Sequence, residues 1–143
     1  MRYRELQIDD YAAIMALWRD TDGIGLRDSD SIEGLAVYLE RNPGLSFVAE
    51  LEKQIIGTIM AGHDGKRGYI QHLAVAEDWR GQGIGRQLTT LCLDALAAAG
   101  VLKSHVHVYA HNREGRRFWE SKGWHHREEL VTYSYISGDN PNV

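Results

Sequence analysis

Residues 73–85 constrain this chain more than any other stretch. Leu73, Ala74 and Val75 form an apolar run that reads as a buried strand. A loop follows with glycine at alternate positions, Gly81, Gly83 and Gly85. From Ile84 the apolar residues recur at helical spacing through Leu88, Leu91, Cys92, Ala95 and Leu96, and Gly100 ends the run. Strand, glycine loop and helix in that order place the helix against a sheet. The glycines let the backbone approach a ligand without side-chain obstruction. The N–H groups of the first helical turn have no partner inside the helix. Together with the helix dipole they make an anion site suited to a pyrophosphate. Arg80 and Arg86 add positive charge beside it. The spacing excludes two common phosphate loops. No Gly-Lys-Ser or Gly-Lys-Thr is present, as a P-loop needs. Arg86, Gln87 and Leu88 follow Gly85, where a dinucleotide fingerprint needs a third small residue.

The rest of the chain supplies the sheet. Residues 3–8 read as a strand, and Asp9 and Asp10 cap a helix reaching about residue 19 that buries Ile14, Leu17 and Trp18. Residues 20–30 form a loop, and residues 31–42 a second helix stopped by Asn42, Pro43 and Gly44. Strands over 45–52, 55–62 and 69–75 are joined by turns at Lys53-Gln54 and Asp64-Gly65. After the glycine-loop helix come a strand over 104–109, a helix over 112–122 closed by Gly123, and an alternating last strand over 130–136. This order predicts an α/β domain with one mixed, mostly antiparallel sheet and helices on both faces. With 143 residues, one domain over 1–136 is expected, followed by a flexible tail over 137–143.

Charge and composition narrow the function. The formal net charge of -4 argues against a general nucleic-acid binder. The N-terminal residues lack the apolar core of a signal peptide, and no apolar run approaches the ~20 residues of a membrane span. A cytoplasmic protein with no membrane partner is the expectation. The single cysteine, Cys92, sits on the apolar helix face and reads as inert core. His105 and His107 alternate onto one strand face, but no Cys or carboxylate completes a ligand set, so no metal is expected.

The segment resembles the signature of the GNAT superfamily of N-acetyltransferases: Arg or Gln, two residues, Gly, one residue, then Gly or Ala. Arg80, Gly83 and Gly85 match it. A second element matches downstream in Asn112, Gly115, Phe118, the aromatic at Trp119, Glu120, Gly123 and Trp124. The resemblance implies an acyl-CoA N-acyltransferase (GNAT) fold and acetyl-CoA as cosubstrate. It places Arg80, Gly81, Gln82, Gly83, Ile84, Gly85 and Arg86 around the coenzyme A pyrophosphate. Leu73, Ala74 and Val75 would lie along the pantetheine arm, in a gap where their strand splays from the next one at a bulge. Asn112 and Phe118 would border the arm from the other side. A backbone N–H within residues 73–75 would polarise the thioester carbonyl. Family members often dimerise, which adds a homodimer to the expectations.

The implied reaction is attack of a primary amine on the acetyl group in a ternary complex. An alkyl amine near pKa 10 must first lose a proton. The chain departs from the family here. The position of the usual tyrosine acid is Trp119, and that of a common glutamate base is Gln71. The remaining candidates on the strand are Tyr69, on the same face as Gln71, and His72, which alternation turns away unless a bulge intervenes. His63, Tyr109 and His111 stand at strand ends near the expected site, and a water chain as base with unassisted thiolate release is the alternative to any side chain. Arg113, Arg116 and Arg117 read either as a solvated helix face or as neighbours of the coenzyme A 3′-phosphate. The acidic segment with Asp20, Asp22, Asp28, Asp30 and Glu33 reads either as helix caps and a solvated loop or, on the acceptor side where the resemblance places it, as a wall that favours a cationic acceptor. The missing tyrosine and glutamate keep a non-catalytic acyl-CoA sensor as the alternative.

Overall fold

The computed structural model describes residues 1–143. The chain forms β1 (Arg2–Glu5), α1 (Tyr11–Arg19), α2 (Ile32–Arg41), β2 (Phe47–Leu51), β3 (Gln54–His63), β4 (Gly68–Val75), α3 (Ile84–Ala98), β5 (Ser104–Val106) and α4 (Arg113–Ser121). The sheet follows chain order, β1-β2-β3-β4-β5. The first three pairings are antiparallel and β4–β5 is parallel. Parallel neighbours require a crossover, and α3 provides it.

Local chemistry accounts for the boundaries. Glu52 and Lys53, the two-residue link between β2 and β3, both have positive φ, as a type I′ hairpin turn demands. Asp64 Oδ1 accepts from the N–H groups of Lys66 and Arg67, each at 2.8 Å, and closes the β3–β4 turn. Ser31 caps α2 by accepting from Gly34 N–H at 3.1 Å. Gly100, at φ +87°, ends α3 as Val101 N–H bonds back to Leu96 O.

The alternation of the strands divides the interior in two. On one face Ile56, Ile59, Ala61 and Ile70 pack against Ile84, Leu88, Cys92 and Leu96 of α3 and Trp119 of α4. On the other, Val48, Met60 and Ala74 pack against Ile14, Met15 and Trp18 of α1 and Leu35 of α2. The expected mixed α/β sheet with helices on both faces is therefore the observed one.

The C-terminal end differs from expectation. Residues 130–136 form no strand, and Tyr133 and Tyr135 are each 91% exposed. Alternation confers strand propensity, but a strand exists only through a paired neighbour. The segment is instead anchored at its two flanks. Trp124 packs on Trp119 at 4.7 Å between ring centroids and donates its backbone N–H to Trp119 O. Beyond it, Asn140 Nδ2 and Asn142 Nδ2 donate to the Asp28 carboxylate at 2.6 and 2.8 Å, and Asp28 N–H donates to Asn142 O. Asn140 and Asn142 of the last residues thus contact the loop before α2.

Two outcomes follow from this packing. Leu88→Ala empties a site with no solvent exposure beneath the sheet and should cost roughly 2–5 kcal/mol in urea unfolding. Cys92 is buried, and that burial pushes its thiol up to about 12. Iodoacetamide at pH 8 should leave the native protein unlabelled and alkylate it only when denaturant is present.

Candidate active site

The site begins where β4 stops following its neighbours. Thr58 faces Ala74 and Met60 faces Gln71, so three steps on β4 match two on β3. β4 carries one extra residue there, and His72 has φ +52°. Ile70 and Ala74 are four residues apart and would share a face in a regular strand. With the bulge, Ile70 packs on the α3 side and Ala74 on the α1–α2 side. On the other edge, β4 and β5 pair only from Gly68↔Ser104 to Ile70↔Val106. Past that point the two strands part, as the family resemblance implies.

The parting opens a cleft of about 890 Å³. Its walls are residues 70–75 of β4, the glycine loop, residues 106–109 after β5, the inner face of α4, and residues 21–25 between α1 and α2. Ala76 N–H bonds to Ile56 O across the β3 side. Backbone alternation therefore aims the polar groups of Val75 and Leu73 the other way, into the cleft. Val75 O is already met by Arg80 Nε at 2.9 Å, which folds the arginine back over the strand end.

The glycine loop has the geometry of an anion cradle. Gly81 and Gly83 adopt φ +77° and +82°, with open space where a Cβ would stand. Gly83 is the N-cap of α3. No backbone N–H from Gly81 to Arg86 has a backbone acceptor within the chain; the ladder starts at Gln87 N–H to Gly83 O. Gly81, Gly83, Ile84, Gly85 and Arg86 among them line the loop end of the cleft, a donor set of the kind a pyrophosphate needs. Gly85 packs under Phe118, leaving 3.3 Å between the ring and a hypothetical Cβ. Lys122 Nζ lies 5.3 Å above the same ring, bringing a cation to the cleft wall.

The opposite end is closed by the α1–α2 loop. Asn112 caps α4 through Oδ1 to Gly115 N–H at 3.0 Å. Its amide nitrogen sits where only a glycine at position 23 leaves room. His72 is held beneath this loop. Its Nε2 is 2.8 Å from Asp30 Oδ1, and its ring meets Trp18 edge-on at 4.6 Å. Its carbonyl accepts from Thr58 Oγ1, which in turn accepts from Trp18 Nε1 at 2.9 Å. Asp30 Oδ2 accepts from Arg27 N–H at 2.9 Å. Burial works to raise the Asp30 pKa, but the hydrogen bonds from His72 and Arg27 and their charges outweigh it, and the carboxyl lies below its ordinary value.

Most of the residues expected at the site meet here. Leu73, Ala74, Val75, Arg80, Gly81, Gly83, Ile84, Gly85, Arg86, Asn112 and Phe118 line the cleft, as do Gln71 and His72. Gln82 and Tyr69 do not; Tyr69 turns to His105, 5.8 Å away between ring centroids. Trp119 borders the cleft but is packed between Phe118 and Trp124. His63 accepts from Gly65 N–H in its turn, and His111 stacks on Tyr109. None of Arg113, Arg116 and Arg117 lines the cleft. Within the acidic segment Asp28 is held by the tail asparagines and Asp30 by His72, and Asp22 lines the cleft, as Glu114 does from α4. The Asp30–His72 contact had no local signal, since 42 residues separate the partners. Gly83→Asp, which adds bulk and negative charge at the cradle, should abolish coenzyme A binding in calorimetry while the circular dichroism stays native.

Comparison with known proteins places this geometry. Residues 11–124 match the family model described as the Acetyltransferase (GNAT) family. An acetyltransferase of Pectobacterium atrosepticum is 33% identical over 112 residues, covering 78% of this chain and 79% of the relative. A predicted acetyltransferase from Clostridium acetobutylicum, solved with acetyl-CoA, has the same fold at a TM-score of 0.74 and 17% identity, over 93% of this chain and 95% of that one. The diaminobutyrate acetyltransferase EctA of Paenibacillus lautus was solved with L-2,4-diaminobutyric acid and coenzyme A. It matches at a TM-score of 0.71 and 26% identity, over 85% of this chain and 73% of its own. The splayed strands, the glycine cradle and a family match across most of the sequence lead to one conclusion: the chain belongs to the acetyltransferase (GNAT) family and is an acyltransferase.

Proposed function

We propose that this chain moves an acetyl group from acetyl-CoA to a primary amine, with both substrates bound together. The observation that carries the reading is the parting of β4 from β5 after Ile70 and Val106. It leaves the backbone of Leu73 and Val75 facing a cleft whose far end is a row of unpaired N–H groups. An extended arm ending in a pyrophosphate satisfies both features. The coenzyme A seen with the Paenibacillus relative and the acetyl-CoA seen with the Clostridium structure support it.

When bound, acetyl-CoA supplies a thioester whose carbonyl carbon is open to an amine. The protein's part is placement and charge. The N–H groups of residues 81–86, with Arg86 beside them, hold the pyrophosphate. Leu73 and Val75 pair with the arm as an added strand would, and a backbone N–H among residues 73–75 faces the carbonyl oxygen. Gly23, Ile24 and Gly25 close the acceptor end and keep the two substrates in one cavity, where orientation alone lowers the barrier. Asp22 on that wall favours an acceptor carrying positive charge. The diamine in the Paenibacillus complex is an acceptor of that kind.

A mass-spectrometric screen of primary amines with acetyl-CoA tests the proposal. Polyamines, diamino acids and lysine-type amines should be acetylated in preference to carboxylate-rich amines. Coenzyme A binding without product on any amine would instead make this cleft an acyl-CoA sensor.

A further inference from the structure

The bulge in β4 does more than open the cleft. It takes a histidine that strand alternation would send to the α3 side and turns it to the acceptor side. Asparagine and glycine fit φ +52° with less strain than histidine does. The histidine there is braced on three sides, by Asp30 from the turn before α2, by Trp18 from α1 and by Thr58 from β3. Trp18 and Thr58 are fully buried, and the Trp18 N–H to Thr58 hydroxyl to His72 carbonyl chain leaves the peptide little freedom. Such bracing locks a ring in place at the wall of the cleft, next to Gln71 and Leu73.

We infer that His72 is the proton acceptor for the attacking amine and that Asp30 is its positioning residue. The inference rests on the reading of the cleft as an acetyl-transfer site. Asp30 is ionised and accepts, so the ring nitrogen facing it, Nε2, carries the hydrogen in the neutral ring. The lone pair then stays on Nδ1. The amine enters in its free-base form. As its nitrogen bonds to the acetyl carbon, the carbon–sulfur bond breaks and its electron pair leaves with sulfur. The proton shed by nitrogen goes to Nδ1, giving an imidazolium that Asp30 stabilises. Passing that proton on to the departing sulfur restores the neutral ring and closes the balance. Neither Trp119 nor Gln71 can take this proton.

The ring's surroundings define the pH dependence. Asp30 is the ionisable group in contact with it, while Trp18, Thr58 and Gln71 are neutral and Arg27 acts on Asp30. Asp22 borders the same cleft. The experiment measures kcat, both KM values and their pH profiles, with acetyl-CoA and the amine best used in the screen, for the parent, His72→Asn and Asp30→Asn. Asparagine tolerates the left-handed backbone, so His72→Asn retains the bulge. It should lower kcat by about 10²- to 10⁴-fold, leave the KM of acetyl-CoA unchanged and remove the acid limb of the parent kcat profile, which at saturating amine no longer carries the amine's own ionisation. Asp30→Asn should lower kcat with the KM of acetyl-CoA unchanged and let hydrogen appear on Nδ1 of the neutral ring; a purely structural carboxylate would leave kcat and the tautomer in place. In the parent protein, long-range ¹H–¹⁵N spectra above the limb should show hydrogen on Nε2 and none on Nδ1. Turnover of His72→Asn within about threefold of the parent with the same pH profile would overturn the inference alone, as would the opposite tautomer. Failure of the parent to acetylate any amine would remove the reading beneath it.

Discussion

The single extra residue in β4 governs the architecture around the cleft. A regular β4 would keep Ile70, His72 and Ala74 on one face and could extend its ladder along β5. With the insertion, the strand bends, its twist increases, and the pairing with β5 ends at Ile70. The backbone freed on that edge has polar groups with no strand to meet. Such groups are tolerated because they open on a cleft that water or a ligand arm can fill. The bulge also turns the sequence of side chains over, so that Ala74 closes the α1–α2 core while Leu73 and Val75 stay with α3.

Two rigid bodies hold this bend open. α3 is anchored under the sheet by Ile84, Leu88, Cys92 and Leu96, which presents its N-terminus and the Gly81–Gly83 turn at a set position. On the other face, Trp18 fills the space beneath the bulge and hydrogen-bonds Thr58, which in turn bonds the His72 carbonyl. A buried indole N–H needs an acceptor, and the Thr58 hydroxyl both accepts from it and donates onward. Core packing and site geometry are therefore the same contacts at this point.

The loops on either side close the cleft. Residues 21–25 meet Asn112 and Tyr109 across the cleft at positions where glycines 23 and 25 leave no room for a side chain. The next turn is secured from outside by the chain's own C-terminal asparagines on Asp28. Asp30, two residues on, thus stands on a segment fixed from both directions, by the tail outside and by His72 inside.

Local chemistry in the sequence determined the elements and the anion cradle. Helical spacing after Ile84, alternating glycines and the flanking arginines depend on neighbours a few residues apart, which a linear reading can see. The same reading misjudged residues 130–136, because Leu130, Val131, Tyr133 and Tyr135 have strand propensity but no paired edge. It also turned His72 away from Gln71 unless a bulge intervened and gave it no partner, since its direction depends on how many residues β4 spends against β3. Only the tertiary structure decided that count, the parting of β4 from β5, and the meeting of His72 with Asp30. Register and long-range pairing arise from packing both sheet faces at once, and no short window of residues contains that balance.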